Sequence, residues 1–427
     1  MRVRYFLLTI LIFVLTINDA GAQNCANTSV GFPPITDLGQ SLWRGLQGGL
    51  YPGGQNTPPF DHNAAALDIS GQIAPLDSNG DPDAGGKIVL LSIGMSNTSL
   101  EFEQFLSVTD TVQSLNPALA IVNGAQGGHS IDDINDPSTD YWDVINDRLN
   151  SEGLSRFQVQ GIWFKQAERK PQDTTLAHID VLKEKYKTAV LISKAQFPNL
   201  KIAYLSSRIY AGYAASDLNP EPFAYYSGWS IKRLIEAQIN GDADLVFEGT
   251  NAPAPLLLWG PYIWADGLTP RGDGLTWACD EFRDDGTHPS SAGRQKVAGL
   301  LLDFFKNDST TQSWFLNPTI ATGIADASGT PEKFVLNQNY PNPFNPTTQI
   351  PFTLPQTGQV KIDIYTSVGQ KVATVLNEQK TAGRHAVTFD ASFDGALASG
   401  VYYYRIAFKA TGNARHFQAT KKMLLVK

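Results

Sequence analysis

The sequence predicts an α/β chain, a parallel sheet interleaved with helices, followed by a small all-β domain. From Lys87 onward, short runs of β-branched and leucine residues alternate with segments whose apolar residues recur at helical spacing, which is the signature of a βαβ series. Around Pro318 to Pro331 the composition shifts to Thr, Ala, Gly and Ser, as in a linker. Beyond it the apolar residues alternate in period two: Val360, Ile362 and Ile364, then Val387 and Phe389, then Tyr402, Tyr404, Ile406 and Phe408. Glycines at 369, 383 and 400 punctuate these runs, so a sandwich of under about 100 residues is expected. A chain of 427 residues with 42% hydrophobic and 11% aromatic content is long and apolar enough for more than one packed core.

The elements follow in order. Arg2 and Arg4, an apolar stretch from Phe6 to Ile17, and Ala20-Gly21-Ala22 predict a cleaved signal peptide over 1–22, with the mature chain starting near Gln23. That apolar stretch is well short of the ~20 residues a bilayer requires. No later segment is long and apolar enough to span. Residues 24–86 are rich in Gly, Pro, Asn and Asp and are expected to be mostly irregular surface structure. Ser41, in Gly39-Gln40-Ser41-Leu42, lacks the preceding strand that a nucleophile turn needs. Asp77 to Asp83 imitates a calcium loop, but Pro82 stands where Gly belongs and Ile88 where the bidentate Glu belongs, so it reads as an acidic turn.

Strands are expected at 87–93, 119–123, 157–164, 200–206 and 243–248, and helices at 100–111, 141–149, 176–196, 229–240 and 290–305. The helix at 176–196 is the clearest, with Leu176, Ile179, Leu182, Tyr186 and Val190 on one face, Asp173 or Thr174 as cap and Pro198 as stop. The apolar run at 256–264 has no place in this scheme. Its aromatics, Trp259, Tyr262 and Trp264, together with Trp277, suit either core filling or the wall of a sugar-sized cleft. Arg271-Gly272-Asp273 is read as a surface turn. His62 and His178 are read as ordinary surface residues and His129 as a possible substrate contact.

A net charge of −8 without a Lys/Arg cluster excludes a phosphate-tracking surface and hence a nucleic-acid partner. The two cysteines, Cys25 and Cys279, either pair or stay free. A disulfide between them would suit an exported chain and would tie the amino-terminal segment to the loop before Asp285.

The chemistry is centred on KIVLLSIGMSN, Lys87 to Asn97. A buried parallel strand broken at Gly94 would leave Ser96 just past its carboxyl end, the edge of an α/β sheet at which ligands bind. A serine hydroxyl is a weak nucleophile until an imidazole takes its proton, and the imidazole needs an acceptor to fix its tautomer. The segment Asp284-Asp285-Gly286-Thr287-His288-Pro289 offers both, His288 as general base with Asp284 or Asp285 as its partner. Donors for a developing oxyanion are expected from the Ser96 N–H, from Gly127 or Gly128 in the loop 123–130, and from the Gln166 amide, or Lys165, after the third strand.

At these residues the chain resembles the SGNH (GDSL-like) hydrolase family. Gly94-Met95-Ser96-Asn97 is similar to the Gly-Gln-Ser-Asn block of sialate and xylan O-acetylesterase relatives, Trp163 to Glu168 to their Trp-x-Gln-Gly-Glu segment with one residue's offset, and Asp285-x-x-His288 to their final block. Met95 replaces the family's Asp or Gln, and Lys165-Gln166 stands where its Asn is expected. The resemblance spans 87–305. It implies a flavodoxin-like three-layer α/β/α sandwich and cofactor-free, metal-free ester hydrolysis through an acyl-serine, with Ser96, Asp285 and His288 as the triad.

The carboxyl-terminal part resembles the type A sorting domain of the type IX secretion system of Bacteroidetes-like bacteria. The matching segments are 339–346 (NYPNPFNP), 365–372 (YTSVGQKV), 399–404 (SGVYYY) and 421–427 (KKMLLVK). Alone, the period-two pattern fits a fibronectin-like or carbohydrate-binding module equally well. The organisation expected is a signal peptide at 1–22, a hydrolase domain at 23–317 with its core at 87–306, a linker at 318–332 and a sorting domain at 333–427. The protein expected is a secreted or cell-surface esterase acting on short acyl groups of carbohydrate or another extracellular ester, with the secretion machinery as partner. The rivals are an esterase for longer acyl chains or polyesters, and a non-catalytic carbohydrate-binding or adhesion protein.

Overall fold

A computed structural model describes residues 23–249, 251–317, 334–339, 342–392, 397–411 and 416–426. The expected leader at 1–22 and linker at 318–332 lie outside the described residues, as do Tyr340, Pro341 and Lys427 of the sorting-domain segments.

Five strands form one sheet: β1 (Ile88–Gly94), β2 (Leu119–Val122), β3 (Val159–Lys165), β4 (Ile202–Leu205) and β5 (Leu256–Trp259). Their order is β2-β1-β3-β4-β5 and every pair is parallel. Every residue of β1 and β3 is buried, which explains why these strands read as mainly apolar runs, interrupted by Ser92 and Gln160, rather than as an alternation: a parallel sheet covered on both faces leaves no polar side to alternate with. Because β1 has β2 on one flank and β3 on the other, the chain reverses its direction of travel across the sheet at β1, where the carboxyl edge opens into a crevice.

Six longer helices accompany the sheet: α1 (Phe60–Gly71), α2 (Ser96–Thr109), α3 (Asp140–Ser151), α4 (Ala177–Gln196), α5 (Phe223–Ile239) and α6 (Ser291–Asn307). Helix α2 packs on α6, and α4 on α5. In α4 the residues Ile179, Leu182, Tyr186, Ala189, Val190 and Ser193 are buried, the stripe that its periodicity predicts.

Three expectations are corrected. Residues 243–248 are not a strand: Ala243–Leu245 is a 3₁₀ turn whose Asp242 side chain accepts the Asp244 N–H. The fifth strand is instead Leu256–Trp259, with all four residues buried. Local capping by an Asp outcompetes the ladder at 243, while prolines at 253 and 255 disguise the approach to the real strand. The segment 24–86 also holds α1. It buries His62, Ala66 and Ser70, a helical face too small and polar to show as an apolar stripe. His62 is therefore not a surface residue. Its Nε2 lies 2.8 Å from the Leu257 carbonyl of β5, and burial pushes its pKa down, against the pull of that hydrogen bond.

Trp259, Tyr262, Trp264 and Trp277 are all buried and fill the core. Gly272 and Asp273 form the exposed turn expected, but Arg271 is buried, donates to the Tyr262 and Trp264 carbonyls and pairs with Asp273. Asp77 accepts the backbone N–H groups of Asn79 and Asp81, closing the acidic turn on itself.

The carboxyl-terminal strands are β6 (Val335–Leu336), β7 (Thr347–Leu354), β8 (Gly358–Thr366), β9 (Lys371–Lys380), β10 (Gly383–Asp390), β11 (Gly400–Ala410) and β12 (His416–Leu425). They form two antiparallel sheets, β9-β8-β11-β12 and β10-β7-β6. In β11, Tyr402, Tyr404, Ile406, Phe408 and Ala410 point inward while their neighbours are more exposed, the alternation expected of a sheet with one buried face. The apolar core of these strands shares no residue with that of the α/β part. Among the described residues no helix is long and apolar enough to cross a membrane.

Candidate active site

The position of Ser96 follows from close packing at the end of β1. A Cβ on Gly94 would fall 2.3 Å from the Lys165 carbonyl oxygen and 2.4 Å from Thr98 Oγ1, so only glycine lets β1 and β3 finish side by side here. The chain then passes through extended Met95 and enters α2 at Ser96. As the first helical residue, Ser96 carries a backbone N–H without an intrahelical acceptor, at the positive end of the helix dipole.

The second half of the site is the irregular segment between the 3₁₀ turn Cys279–Glu281 and α6. It is closed by a bridge between Phe282 and Pro289 and by backbone bonds from Arg283 N to His288 O and from Gly286 N to Arg283 O, both 2.8 Å. Gly286 has φ +63, and a Cβ there would meet the Tyr213 carbonyl at 1.9 Å, so the loop leans directly on the 210–215 backbone. Across the sheet edge, Ser96 Oγ and His288 Nε2 stand 2.8 Å apart. On the far side of the ring, His288 Nδ1 is 2.6 Å from Asp285 Oδ2. The other carboxylate oxygen, Oδ1, accepts the N–H groups of Thr287 and His288, each at 2.9 Å. Partial burial acts to raise the Asp285 pKa, but these backbone bonds and the imidazole outweigh it and hold the carboxyl below its ordinary value. The side chains of His288 and Asp285 are 20% and 40% exposed, so solvent and a substrate can reach the ring. Asp285 partners His288, whereas Asp284 is exposed and offers its carbonyl to Gln23 N. Asn97 ties the halves together by donating from Nδ2 to the Thr287 carbonyl at 2.9 Å.

Of the expected oxyanion donors, Gly127 lies beside the serine: a Cβ on it would be 3.8 Å from Ser96 Cβ. Gly128, at φ +86, gives its carbonyl to Arg169. Gln166 is buried. Its Nε2 donates to the His129 carbonyl at 3.0 Å and its Oε1 accepts the Ala167 N–H, so this amide braces the loop after β2. The His129 ring packs 5.5 Å from that of Tyr141. Tyr141 in turn accepts the Gly94 N–H on its hydroxyl.

Lys165 does not face the serine. Its ammonium is locked to Glu101 of α2 in a pair whose side chains are both 0% exposed. Burial pushes the lysine down to about 8, against the pull of Glu101, and pushes the Glu101 carboxyl up, against the pull of Lys165. Arg208, just beyond β4, is buried too and donates to Asn219 Oδ1 at 2.8 Å. No sequence signal marks Glu101 or Arg208, since charged residues there read as solvated. His178, expected on the surface, is buried beside Glu168.

Comparison with known proteins informs the carboxyl-terminal domain. Residues 338–422 match the family described as the secretion system C-terminal sorting domain. The protein is therefore exported by type IX secretion, to the cell surface or beyond it. No curated protein matches the chain. Among solved structures, the chain is similar to dimeric latent PorU from Porphyromonas gingivalis, with 19% identity over 22% of this chain and 9% of that one and a TM-score of 0.19. The match thus spans under a tenth of PorU's length. It is also similar to the periplasmic domain of a lipopolysaccharide acetyltransferase from Salmonella ser. Paratyphi A, with 15% identity over 58% and 94% of the two chains and a TM-score of 0.28. A third is an endo-beta-1,4-mannanase from Thermotoga petrophila, with 11% identity over 80% of each chain and a TM-score of 0.22. Likenesses this low carry no argument about activity.

Proposed function

We propose that the α/β part is an SGNH-like serine esterase on a flavodoxin-like three-layer fold. The strand order, with both faces of the sheet covered, supports the fold. The observation that carries the activity is the continuous relay from Ser96 Oγ through the His288 ring to Asp285, with spacings of 2.8 and 2.6 Å. In this reading His288 Nε2 takes the Ser96 proton as the oxygen attacks the ester carbonyl, and Asp285 holds the ring in the tautomer that leaves Nε2 free. The oxyanion develops against the N–H groups of Ser96 and the Gly127 loop, pre-aimed by the helix start and by the brace of Gln166. His288 then returns the proton to the departing alcohol. Water attacks the acyl-serine by the same route in reverse, so no metal or cofactor is needed.

The resemblance to O-acetylesterases supports short acyl groups on carbohydrate or another extracellular ester as the substrate class. Ser96→Ala and His288→Ala are each expected to lower hydrolysis of p-nitrophenyl acetate by about 10⁴-fold or more while leaving the circular dichroism spectrum unchanged. Undiminished turnover in either variant overturns the assignment. Comparing acetyl with octanoyl esters tests the acyl length.

A further inference from the structure

The loop that carries Asp285 and His288 belongs to no sheet or helix, and besides Asn97 and the 210–215 backbone it rests on residues 23–27. Gln23 N donates to the Asp284 carbonyl at 2.7 Å, and Asn24 N to the Tyr213 carbonyl at 2.9 Å. Tyr213 is the residue against which Gly286 is wedged, and Ala215 N donates to the Asp285 carbonyl at 3.0 Å. A little further on, Asn27 donates to the Gly212 carbonyl and accepts the Tyr210 hydroxyl on its own carbonyl. Residues 23–27 thus bond to both the 210–215 segment and the Asp285/His288 loop. A disulfide between Cys25 and Cys279, Cα atoms 5.4 Å apart and 254 positions apart in sequence, fastens them there.

We infer that residues 23–25, held by this disulfide, position the Asp285/His288 loop against Ser96, so that full turnover is acquired only once the two thiols are joined. The inference rests on the esterase reading above. An irregular segment such as 23–27, outside any helix or strand, frays unless tied down. Without the covalent tie, its hydrogen bonds to the Asp284 and Tyr213 carbonyls compete with water. The nucleophile side has no such dependence, because helix and sheet fix it. The two halves must nonetheless meet within hydrogen-bond distance, and a misplacement of about 1 Å costs on the order of 100-fold in rate. Joining Cys25 to Cys279 forms one S–S bond and passes two protons and two electrons to a disulfide-exchanging oxidant, which exported chains meet outside the cytoplasm. Cys25 is exposed and Cys279 half-buried, so a small reductant reaches the bond in the folded protein. Cys25, Gln23 and Asn24 are positioning residues: none touches the reacting atoms.

The test uses the chain from residue 23 to its end. Hydrolysis of p-nitrophenyl acetate and the rate of Ser96 labelling by a p-nitrophenyl phosphonate are measured oxidised, after reduction with a water-soluble phosphine, and after reoxidation with glutathione disulfide. Reduction is expected to lower kcat and the labelling rate together by about tenfold, leave KM within about twofold, leave the circular dichroism unchanged and reverse on reoxidation. Equal kcat in the oxidised and reduced forms overturns the inference. Should reduction also erase the dichroism, a variant lacking Gln23 and Asn24 but keeping the disulfide decides: several-fold lower kcat at unchanged KM supports positioning, and unchanged kcat overturns it. Neither turnover nor labelling in the oxidised protein would instead remove the esterase reading itself.

Discussion

The two halves of the site are built by opposite means. Ser96 sits where a fully buried strand turns into a helix, and its placement is dictated by close packing: Gly94 against Lys165 and Thr98, Tyr141 on the Gly94 backbone. Asp285 and His288 sit on an irregular loop whose order comes from backbone bonds, one wedged glycine and a disulfide. The first half shares its rigidity with the whole core. The second is held by a few local contacts with Asn97, the 210–215 backbone and residues 23–25, so damage there should appear in activity before it appears in stability.

The sharpest way to probe this contrast is within the loop. Asp285→Asn preserves shape but removes the acceptor that fixes the His288 tautomer, and kcat is expected to fall by about 10⁴-fold. Asp284→Asn, next door, should leave it unchanged. Steady-state kinetics on the two variants checks both, and comparable losses would reassign the orienting acid.

On the packed side the largest effect should be on stability. Lys165→Met leaves the Glu101 carboxylate buried without its partner, at a cost of about 3–5 kcal/mol. Pairing it with Glu101→Leu should recover most of that loss in denaturant unfolding, because an apolar pair of similar volume needs no charge compensation.

Two glycines test the contrast directly. Gly94→Ala forces β1 away from β3 and should cost about 1–3 kcal/mol, seen as a lower Tm. Gly286→Ala collides with Tyr213 at a positive φ and should lower kcat by a larger factor, relative to its Tm change, than Gly94→Ala does. The reverse ranking would mean that the loop is integral to the core.

The mildest effect is that of pH. Because the folded Asp285 carboxyl lies below its ordinary value, its ionised form stabilises the fold fully above the unfolded value of about 3.9. That stabilisation is lost as pH falls through the lower folded value. The stability difference between wild type and Asp285→Asn should therefore shrink as pH falls below about 4, as chemical unfolding at a series of pH values would show.

Much of this architecture was legible from residue patterns. Strands β1 to β4 and most of helices α2 to α6 announce themselves because a strand buried on both faces is mainly apolar and a surface helix shows a stripe. The strand β5 was missed because prolines crowd its approach, and α1 because the face it buries is His62, Ala66 and Ser70. At the site, Ser96 and His288 could be picked out because a strand-end serine and a loop with nearby Asp and His residues are local features, while the choice of Asp285 over Asp284 came from the family resemblance. Their meeting across 192 positions, the brace made by Gln166 and the Glu101–Lys165 pair are tertiary. No local rule says that a glutamate five residues into a helix points inward.

The sandwich closes over an interior of its own, composed of residues that the larger part never uses. A cut between the two would therefore leave each interior covered. The address label could be discarded at the destination with the cargo still folded, and heating the intact protein should give two separate melting events.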